Sequence, residues 1–246
     1  MKYIAFLFLC FIAACSSNKN TTKTDTAQAE VTDTSTDKTL LLTVKRGACY
    51  GTCPIYDISI YSNGDMEYNG IRFVEMLGPH KLSLKADQLK QLNNTMGAID
   101  WKSYPDKIPS MIADLPGSTL INHSLNPEKS IWWNTDAPSE LTDLRDLVGT
   151  YITNPTWEVD KKAEIPAYAK ADELLIKFKE NVDVNAFTKG FEKYGLTIKE
   201  QLIPNMPIWL FTYDDSQIAP YEMLNKINKS NQVDTAEFNK KVNTRR

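Results

Sequence analysis

Residues 55–61 most constrain the fold of this 246-residue chain, because their apolar and polar side chains alternate with the period of two that is typical of a half-buried β-strand. The dipeptide Asn63-Gly64 follows. A tight hairpin turn needs positive φ at both of its central positions, and these two residue types tolerate it. The pattern therefore predicts that residues 65–68 return antiparallel to the first strand. An apolar segment at residues 40–44 precedes the hairpin, so we expect an antiparallel β-meander.

Two amphipathic helices are predicted to pack on this meander. In the first, apolar residues recur three or four positions apart from Leu89 to Ile99. The second begins near Asp136 and carries a similar stripe as far as Tyr151. Two short strands lie between the helices. Antiparallel strands with helices packed on them are typical of the α+β class, which we predict for a first domain at residues 39–153.

The N-terminus has the features of a secretory signal. Lys2 precedes an apolar stretch at residues 4–14 that is too short to span a bilayer. The stretch ends in Ile12-Ala13-Ala14-Cys15, which resembles the lipobox of bacterial lipoproteins, where the cysteine receives diacylglycerol before cleavage. The alternative is a plain secretory signal that is cleaved after Ala14. We predict that residues 1–14 are removed and that Cys15 anchors the chain to a membrane through lipid.

Residues 15–38 are predicted to contain the lipidated cysteine and a disordered tether. The tether is rich in threonine and serine and has almost no large apolar side chain, so it cannot bury enough surface to offset the entropy of ordering it. As a flexible coil of this length it would reach roughly 25 to 30 Å. Ser16 after the cysteine resembles the outer-membrane sorting signal of Gram-negative lipoproteins. We therefore expect an outer-membrane lipoprotein of the cell envelope that faces the periplasm.

Cys49 and Cys53 allow three interpretations. Disulfides persist outside the cytoplasm, so a structural disulfide between these two residues is the first. A redox-active dithiol is the second, although thioredoxin-type proteins place two residues between the cysteines, at a helix N-terminus, whereas three residues here precede a strand. Metal binding is the third, but two thiolates need two further ligands, and His80 and His123 are the only imidazoles. We predict the disulfide, with no metal site and no cofactor.

The same cysteines belong to a longer pattern. It consists of Cys49-x-Gly51-x-Cys53-Pro54-x-Tyr56, then Tyr61, Asn63-Gly64 and Tyr68, and later Asp114-Leu115-Pro116. This pattern resembles an uncharacterised domain family found in bacterial envelope lipoproteins, over roughly residues 39–153. That family has no assigned activity, so the resemblance implies domain boundaries and transfers no chemistry.

A second folded unit is predicted at residues 172–246, after a linker at residues 154–171 that has prolines, mixed charges and no periodicity. The unit alternates strand, helix, strand, strand, helix, strand. Asp183 is expected to cap the first of these helices, and Pro220 opens the second. The βαββαβ order predicts a ferredoxin-like domain, in which a four-stranded antiparallel sheet carries both helices on one face.

This order is similar to that of the propeptide and inhibitor domains of subtilisin-like serine proteases. In those domains the helix-free face of the sheet packs on the protease, and the segment after the last strand enters the active-site cleft. The resemblance implies that the basic tail contacts a partner through Lys240, Lys241, Arg245 and Arg246. The terminal Arg-Arg departs from the apolar end that many subtilisins prefer.

Trp209, Phe211 and Tyr213 share one face of a predicted strand at residues 207–213, because alternate residues of a strand point the same way. If this face is open, the three aromatic residues form a partner-contacting surface of the type enriched in binding hot spots. If it faces the helices, they belong to the core. The sequence leaves both interpretations open.

Composition and motifs limit the function. Lys and Arg total 28 against 31 Asp and Glu, with no long basic run, so we expect no nucleic-acid partner. No nucleophile elbow, zinc-protease motif or phosphate-binding glycine loop occurs, so we predict no catalytic residue and no enzyme activity. Our leading hypothesis is a non-enzymatic, lipid-anchored envelope protein that binds a protein partner. The alternatives are an inhibitor or folding helper of a subtilisin-like protease through residues 172–246, and a thiol-disulfide redox protein that uses Cys49 and Cys53.

Overall fold

The computed structural model describes residues 38–109, 112, 114–154 and 156–241. The predictions for the signal segment, Cys15, most of the tether, Arg245 and Arg246 lie outside these residues. The described residues belong to one compact unit of mixed α/β architecture, with two antiparallel sheets and four α-helices. Within these described ranges, no helix has the length and apolar character needed to cross a bilayer.

The first sheet, sheet A, has seven strands in the order β6-β5-β1-β2-β3-β4-β7, and all neighbours are antiparallel. Its strands are β1 (Leu40–Arg46), β2 (Ile55–Tyr61), β3 (Asp65–Arg72), β4 (Gly78–Ser83), β5 (Ser118–Asn122), β6 (Lys129–Trp133) and β7 (Glu158–Val159). Helices α1 (Ala86–Gly97) and α2 (Ser139–Ile152) bury their apolar stripes in one core with alternate strand residues such as Val44 and Ile58. The predicted antiparallel strands and two packed helices are confirmed.

The hairpin between β2 and β3 forms as predicted, but its turn differs. Only Gly64 has positive φ, at 89°, and its backbone N–H donates to the carbonyl oxygen of Tyr61 at 2.9 Å. The side chain of Asn63 accepts a hydrogen bond from the backbone N–H of Asp65 instead. Glycine at the one left-handed position is typical of the longer three-residue hairpin loop, so the prediction of two positive-φ residues was wrong.

The second sheet, sheet B, has four strands in the order β11-β8-β10-β9, again with all neighbours antiparallel. Its strands are β8 (Ala169–Phe178), β9 (Thr197–Gln201), β10 (Ile208–Thr212) and β11 (Val233–Lys240). Helices α3 (Val184–Lys189) and α4 (Pro220–Asn228) bury Phe187 and Met223 in the same core, on the face of the sheet that carries Ile176 and Phe178. The Asp183 carboxylate caps α3 by accepting from two backbone N–H groups, as predicted.

The segment predicted as a linker contributes to both sheets. Its residues Glu158 and Val159 form β7, which pairs with β4, and β8 begins at Ala169 rather than at the apolar run that follows. The Trp157 ring packs on the first core, 5.7 Å from the Tyr68 ring, and its indole N–H donates to the carbonyl oxygen of Tyr151 at 2.8 Å. The chain between the two sheets is therefore fixed to sheet A.

The two sheets meet where α4 packs on the start of β4 and the residue before it. The amide of Asn225 accepts from the backbone N–H of Leu77 at 2.7 Å and donates to the carbonyl oxygen of the same residue at 2.8 Å. At the next position, a Cβ added to Gly78 would lie 2.2 Å from the Tyr221 ring, so only glycine allows this approach. Asn225 is buried, and its side-chain amide satisfies the backbone N–H and C=O of Leu77 as a neighbouring strand would.

Candidate functional site

Three loops leave sheet A at the same end. Arg46, the last residue of β1, lies opposite Tyr56 of β2 and Ser118 of β5, and Ile55 lies opposite Arg72 of β3. Because neighbouring strands are antiparallel, the loops that follow β1, follow β3 and precede β5 emerge together. We call this surface the disulfide end and define it as residues 47–54, 71–77, 112 and 114–117. The chain enters β1 at Leu40, which lies at the opposite end of the sheet.

A disulfide closes the first of these loops. Cys49 and Cys53 are joined, with 5.8 Å between their Cα atoms, in agreement with the first interpretation of the sequence. Gly51 lies between them with φ of 149°, a conformation that other residues rarely adopt. Tyr50 is 93% exposed at the tip of the loop. The bridge precedes a β-strand rather than a helix, so the geometry lacks the helix N-terminus that lowers the pKa of thioredoxin-type thiols.

Large apolar side chains are exposed at the disulfide end. Of the nine such side chains that are exposed among the described residues, five lie there, namely Tyr50, Ile71, Phe73, Ile112 and Leu115. Three of the others lie at the tip of the hairpin between β9 and β10, namely Leu202, Ile203 and Met206. Single exposed apolar residues are ordinary, but a cluster on one surface indicates an interaction site.

Hydrogen bonds fix the backbone beneath this cluster. The backbone N–H of Tyr50 donates to the carbonyl oxygen of Asp114 at 3.2 Å, and that of Gly47 donates to Gly117 at 2.8 Å. The side-chain amide of Asn134 donates to the carbonyl oxygen of Ile112 at 2.6 Å. The Cys49 loop and the Asp114-Leu115-Pro116 segment, both part of the pattern recognised in the sequence, therefore lie side by side. Pre-ordered loops lose less entropy when they bind.

Phe73 adds a strained position to the same surface. Its φ is 56°, in the left-handed region that bulky side chains rarely occupy. The Arg72 guanidinium lies 4.5 Å from the centre of the exposed Phe73 ring. Residues in such conformations cost free energy and concentrate at functional sites. The strain is consistent with a ring that is held outward for contact.

A polar group lies beneath the disulfide end, between sheet A and α2. One N–H of the half-buried Arg46 guanidinium donates to the Ser118 hydroxyl. Burial lowers the pKa of Arg46, and the neighbouring charge of Arg145 lowers it further. Arg145 itself is paired with Asp146, with 2.6 Å between Nη2 and Oδ1. Burial raises the pKa of Tyr56, so its hydroxyl is neutral near pH 7.

A second chain of polar side chains lies near the opposite end of sheet A. Thr43 Oγ1 is 3.0 Å from His123 Nε2, and His123 Nδ1 is 2.7 Å from Glu128 Oε2, which is the order of a nucleophile, a base and an orienting carboxylate. However, Thr43 is only 7% exposed, and β1 is paired on both sides, so no nearby backbone N–H of this strand is free to stabilise an oxyanion. These two contacts occupy both ring nitrogens of His123 and order the turn between β5 and β6.

The aromatic residues of β10 belong to the core. Phe211 has no exposed surface and Tyr213 is almost fully buried, and both pack in the cluster under α3 and α4, with Trp209 partly buried beside them. The suggestion that this face contacts a partner was therefore wrong, because the chain covers the face with its own helices. Lys240 is exposed, and Lys241 Nζ donates to the carbonyl oxygen of Ala167 at 3.0 Å.

The helix-free face of sheet B carries a buried carboxylate. Glu173 accepts hydrogen bonds from Lys199 Nζ at 2.8 Å, Asn239 Nδ2 at 2.5 Å and Lys170 Nζ at 2.9 Å. Burial alone would raise the pKa of Glu173, but these three donors outweigh it and hold the pKa at about 2. This face is therefore internally paired and offers no unmatched charge at Glu173.

Sequence reasoning missed much of the disulfide end. It singled out Cys49 and Cys53 but not Arg46, Phe73 or Ile112. Phe73 directly follows β3, and no local pattern in Arg72-Phe73-Val74 shows which residue leaves the sheet. For Ile112, the surrounding Pro-rich loop was a usable signal, because an isoleucine in such a loop has no strand to bury it.

The comparisons with known proteins add one finding. Residues 40–152 match the model of a family described as a domain of unknown function, DUF6438, so this part of the chain contains a DUF6438 domain. The match ends where α2 ends and contains the whole disulfide end. No curated protein matches the chain. No solved structure matches it either.

Proposed function

We propose that this chain, with its DUF6438 domain, is a non-enzymatic, lipid-anchored protein of the cell envelope that binds a protein partner through the disulfide end. The anchor is Cys15, and the expected location is the periplasmic side of the outer membrane. The proposal rests on one observation of the structure. Five large apolar side chains are exposed at the same end of sheet A, where two backbone hydrogen bonds join the loop of Cys49 to residues 114–117.

The position of the cluster supports a protein partner rather than the bilayer. The chain enters sheet A at Leu40, and the disulfide end lies beyond the other end of β1, seven residues away. An extended strand rises about 3.3 Å per residue, so roughly 20 Å separates the two ends. The tether therefore joins sheet A at the end that is remote from the disulfide end. A partly apolar surface with aromatic residues is typical of protein interfaces.

The binding proposal is tested by photo-crosslinking in intact cells. A photoreactive phenylalanine analogue replaces Tyr50 in one variant and Leu115 in another, and the control carries it at Asn93, which is exposed on α1. We expect the same adduct mass from Tyr50 and Leu115 and none from Asn93. A Phe73→Ser change should reduce the adduct that forms from Leu115. Recovery of the uncrosslinked monomer alone from both positions would contradict the proposal.

The anchor is tested separately. Labelled palmitate should enter the wild-type protein, whereas the Cys15→Ser variant should remain unprocessed and unlabelled. A Cys15→Ser variant that is processed and membrane-bound like the wild type would refute the anchor, and it would leave the crosslinking result intact.

For sheet B we propose a ferredoxin-like arrangement. Two observations support it, namely the strand order β11-β8-β10-β9 and the burial of α3 and α4 in one core. The same architecture keeps protease inhibition as a second candidate function, with the helix-free face and the basic tail as the contact. The test uses the full chain against a panel of subtilisin-like proteases. Inhibition at micromolar concentration that is lost when residues 240–246 are removed would support it, and full protease activity would count against it.

A further inference from the structure

The hairpin between β9 and β10 carries a second exposed apolar surface, separate from the disulfide end. We call residues 202–207 the hairpin tip. They lie beyond the last paired residues of the two strands, Gln201 and Trp209, and therefore project from sheet B. Three large apolar side chains of the tip are 41%, 44% and 49% exposed, namely Leu202, Ile203 and Met206. No residue of the tip carries a charge. A cluster of this kind indicates an interaction site.

The backbone of the tip exposes few unpaired polar groups. The N–H of Met206 donates to the carbonyl oxygen of Ile203 at 3.1 Å. Pro204 and Pro207 have no N–H to satisfy. Among the described residues, only the N–H groups of Ile203 and Asn205 in the tip lack a hydrogen-bond acceptor. An unpaired backbone group is costly in an apolar medium, so this pairing lowers the cost of entering a bilayer.

The composition of the tip distinguishes it from the disulfide end. Hot spots of protein interfaces are enriched in tyrosine, tryptophan and arginine, whereas leucine is under-represented in them. The disulfide end carries Tyr50 and the pair of Arg72 and Phe73. Apart from Asn205, the tip has only leucine, isoleucine, methionine and proline. This composition fits the acyl-chain boundary of a lipid bilayer better than a protein surface.

The anchor proposed at Cys15 would hold the tip close to a bilayer. The predicted tether reaches roughly 25 to 30 Å as a flexible coil. A tether raises the local concentration of lipid around the chain, so a contact that is weak for a free protein becomes populated. Charges of both signs lie on the strands behind the tip, namely Lys177, Lys199, Glu200 and Asp234. The contact should therefore not require anionic lipid.

We propose that the hairpin tip enters the surface of the bilayer that carries the anchor, with Leu202, Ile203 and Met206 in contact with the acyl chains. This inference rests on the anchor of the proposed function and adds a second membrane contact, made by sheet B. A tether by itself leaves the folded chain free to rotate, whereas two points of contact hold it in one orientation. The disulfide end on sheet A remains the surface for the protein partner.

The test uses the mature chain, residues 16–246, with an N-terminal hexahistidine tag that binds nickel-chelating lipid in place of the lipid on Cys15. The vesicles contain phosphatidylethanolamine and phosphatidylglycerol. The only cysteines of this chain form the disulfide, so a cysteine introduced by Met206→Cys takes an environment-sensitive fluorophore by itself. We expect a blue shift of its emission on the vesicles and quenching by lipids that carry a spin label on the acyl chain. The same label after Asn93→Cys should show neither change.

Two matched variants locate the contact. Ile203→Asp should abolish the blue shift at position 206, because a carboxylate in the tip resists leaving water. Tyr168→Asp places the same charge on a side chain that is 59% exposed outside the tip, and it should leave the shift unchanged. Both positions are exposed, so far-UV circular dichroism should match the wild type in each variant. Absence of quenching at position 206, or equal losses in the two variants, would overturn the proposal.

Two further measurements separate the bilayer from other causes. Vesicles of phosphatidylcholine should give the same blue shift, and a shift that needs phosphatidylglycerol would overturn the proposal by assigning the contact to charge. In intact cells, a photoreactive phenylalanine analogue at Leu202 should crosslink lipid, and a protein adduct of defined mass would overturn it too. Because the tag replaces the lipid on Cys15, and crosslinking from Tyr50 tests the partner separately, failure of the membrane contact and failure of the proposed function give different results.

Discussion

Sheet A and sheet B both bury one face under two helices, but they leave different surfaces to solvent. At the end of sheet A, exposed apolar side chains come from segments that are far apart in the sequence. On sheet B the helix-free face is closed by Glu173 with Lys170, Lys199 and Asn239. The contrast shows that exposed apolar side chains collect at one end of sheet A, whereas the central charge of the helix-free face of sheet B is paired within the chain.

The largest expected effect separates a core aromatic from an exposed one. Phe211→Ala in sheet B should lower the free energy of unfolding by about 3 to 5 kcal/mol, because it leaves a cavity under α3 and α4. Tyr50→Ala at the disulfide end should change it by less than about 0.5 kcal/mol, because the ring is exposed. Urea unfolding followed by far-UV circular dichroism measures both. Equal losses of unfolding free energy in Phe211→Ala and Tyr50→Ala would contradict the burial of the first ring and the exposure of the second.

The second effect concerns the junction between the sheets. Asn225→Ala should cost about 2 to 4 kcal/mol, because the N–H and C=O groups of the partly buried Leu77 lose their only side-chain partner in the described structure. Asn93→Ala on the exposed face of α1 is the matched control and should cost almost nothing. Four of the five tryptophans precede sheet B in the chain, so the tryptophan fluorescence mainly reports the first unit, and it should then separate from the circular dichroism of the whole chain into two transitions. Unchanged, coincident transitions in Asn225→Ala would argue against coupling through this pair.

The third effect depends on pH. The pKa of Glu173 is about 2 in the folded chain against an ordinary value of 4.5. A carboxyl with a lowered folded pKa stabilises the protein above pH 4.5, and this contribution is lost as the pH falls toward 2. The loss is at most about 3 kcal/mol. Glu173→Gln should flatten the dependence of the urea midpoint on pH between 5 and 2, whereas Glu237→Gln on an exposed position of β11 should not. Parallel curves for the wild type and Glu173→Gln would exclude this role.

The smallest expected change in stability is at the disulfide. The double change Cys49→Ser and Cys53→Ser should cost at most roughly 2 kcal/mol, because the closed loop is short. It should nevertheless abolish crosslinking from position 50, since the loop that carries Tyr50 loses its constraint. The urea midpoint and the adduct yield are compared in the same samples. An unchanged yield would mean that the bridge is not needed to present the apolar cluster.

Local patterns predicted many elements of both sheets. The alternation in residues 55–61 and the glycine at 64 predicted the hairpin, and the apolar spacing predicted α1 and α2. They could not predict that β5 pairs with β1, since this contact joins residues more than 70 positions apart in the chain. They also failed for Glu158 and Val159, because a two-residue edge strand has no periodicity to detect.

The candidate site was less predictable than the fold. Cys49, Cys53 and Tyr56 could be found because their pattern is local. The sequence could not show which face of β10 is covered, because alternation defines two faces without saying which one packs against α3 and α4. Arg46 and Arg145 lie on different elements, and no local pattern relates them.

The sequence by itself determined the expectation of a lipid-anchored chain, the pairing of two cysteines and the alternation of strands and helices. These follow from residues that are neighbours in the chain, whose chemistry and backbone preferences act locally. Only the tertiary structure decided which apolar side chains remain outside and how Asn225 joins the sheets. Those properties depend on contacts between segments that are far apart in the chain. The sequence of one segment therefore does not show how much of its surface is buried.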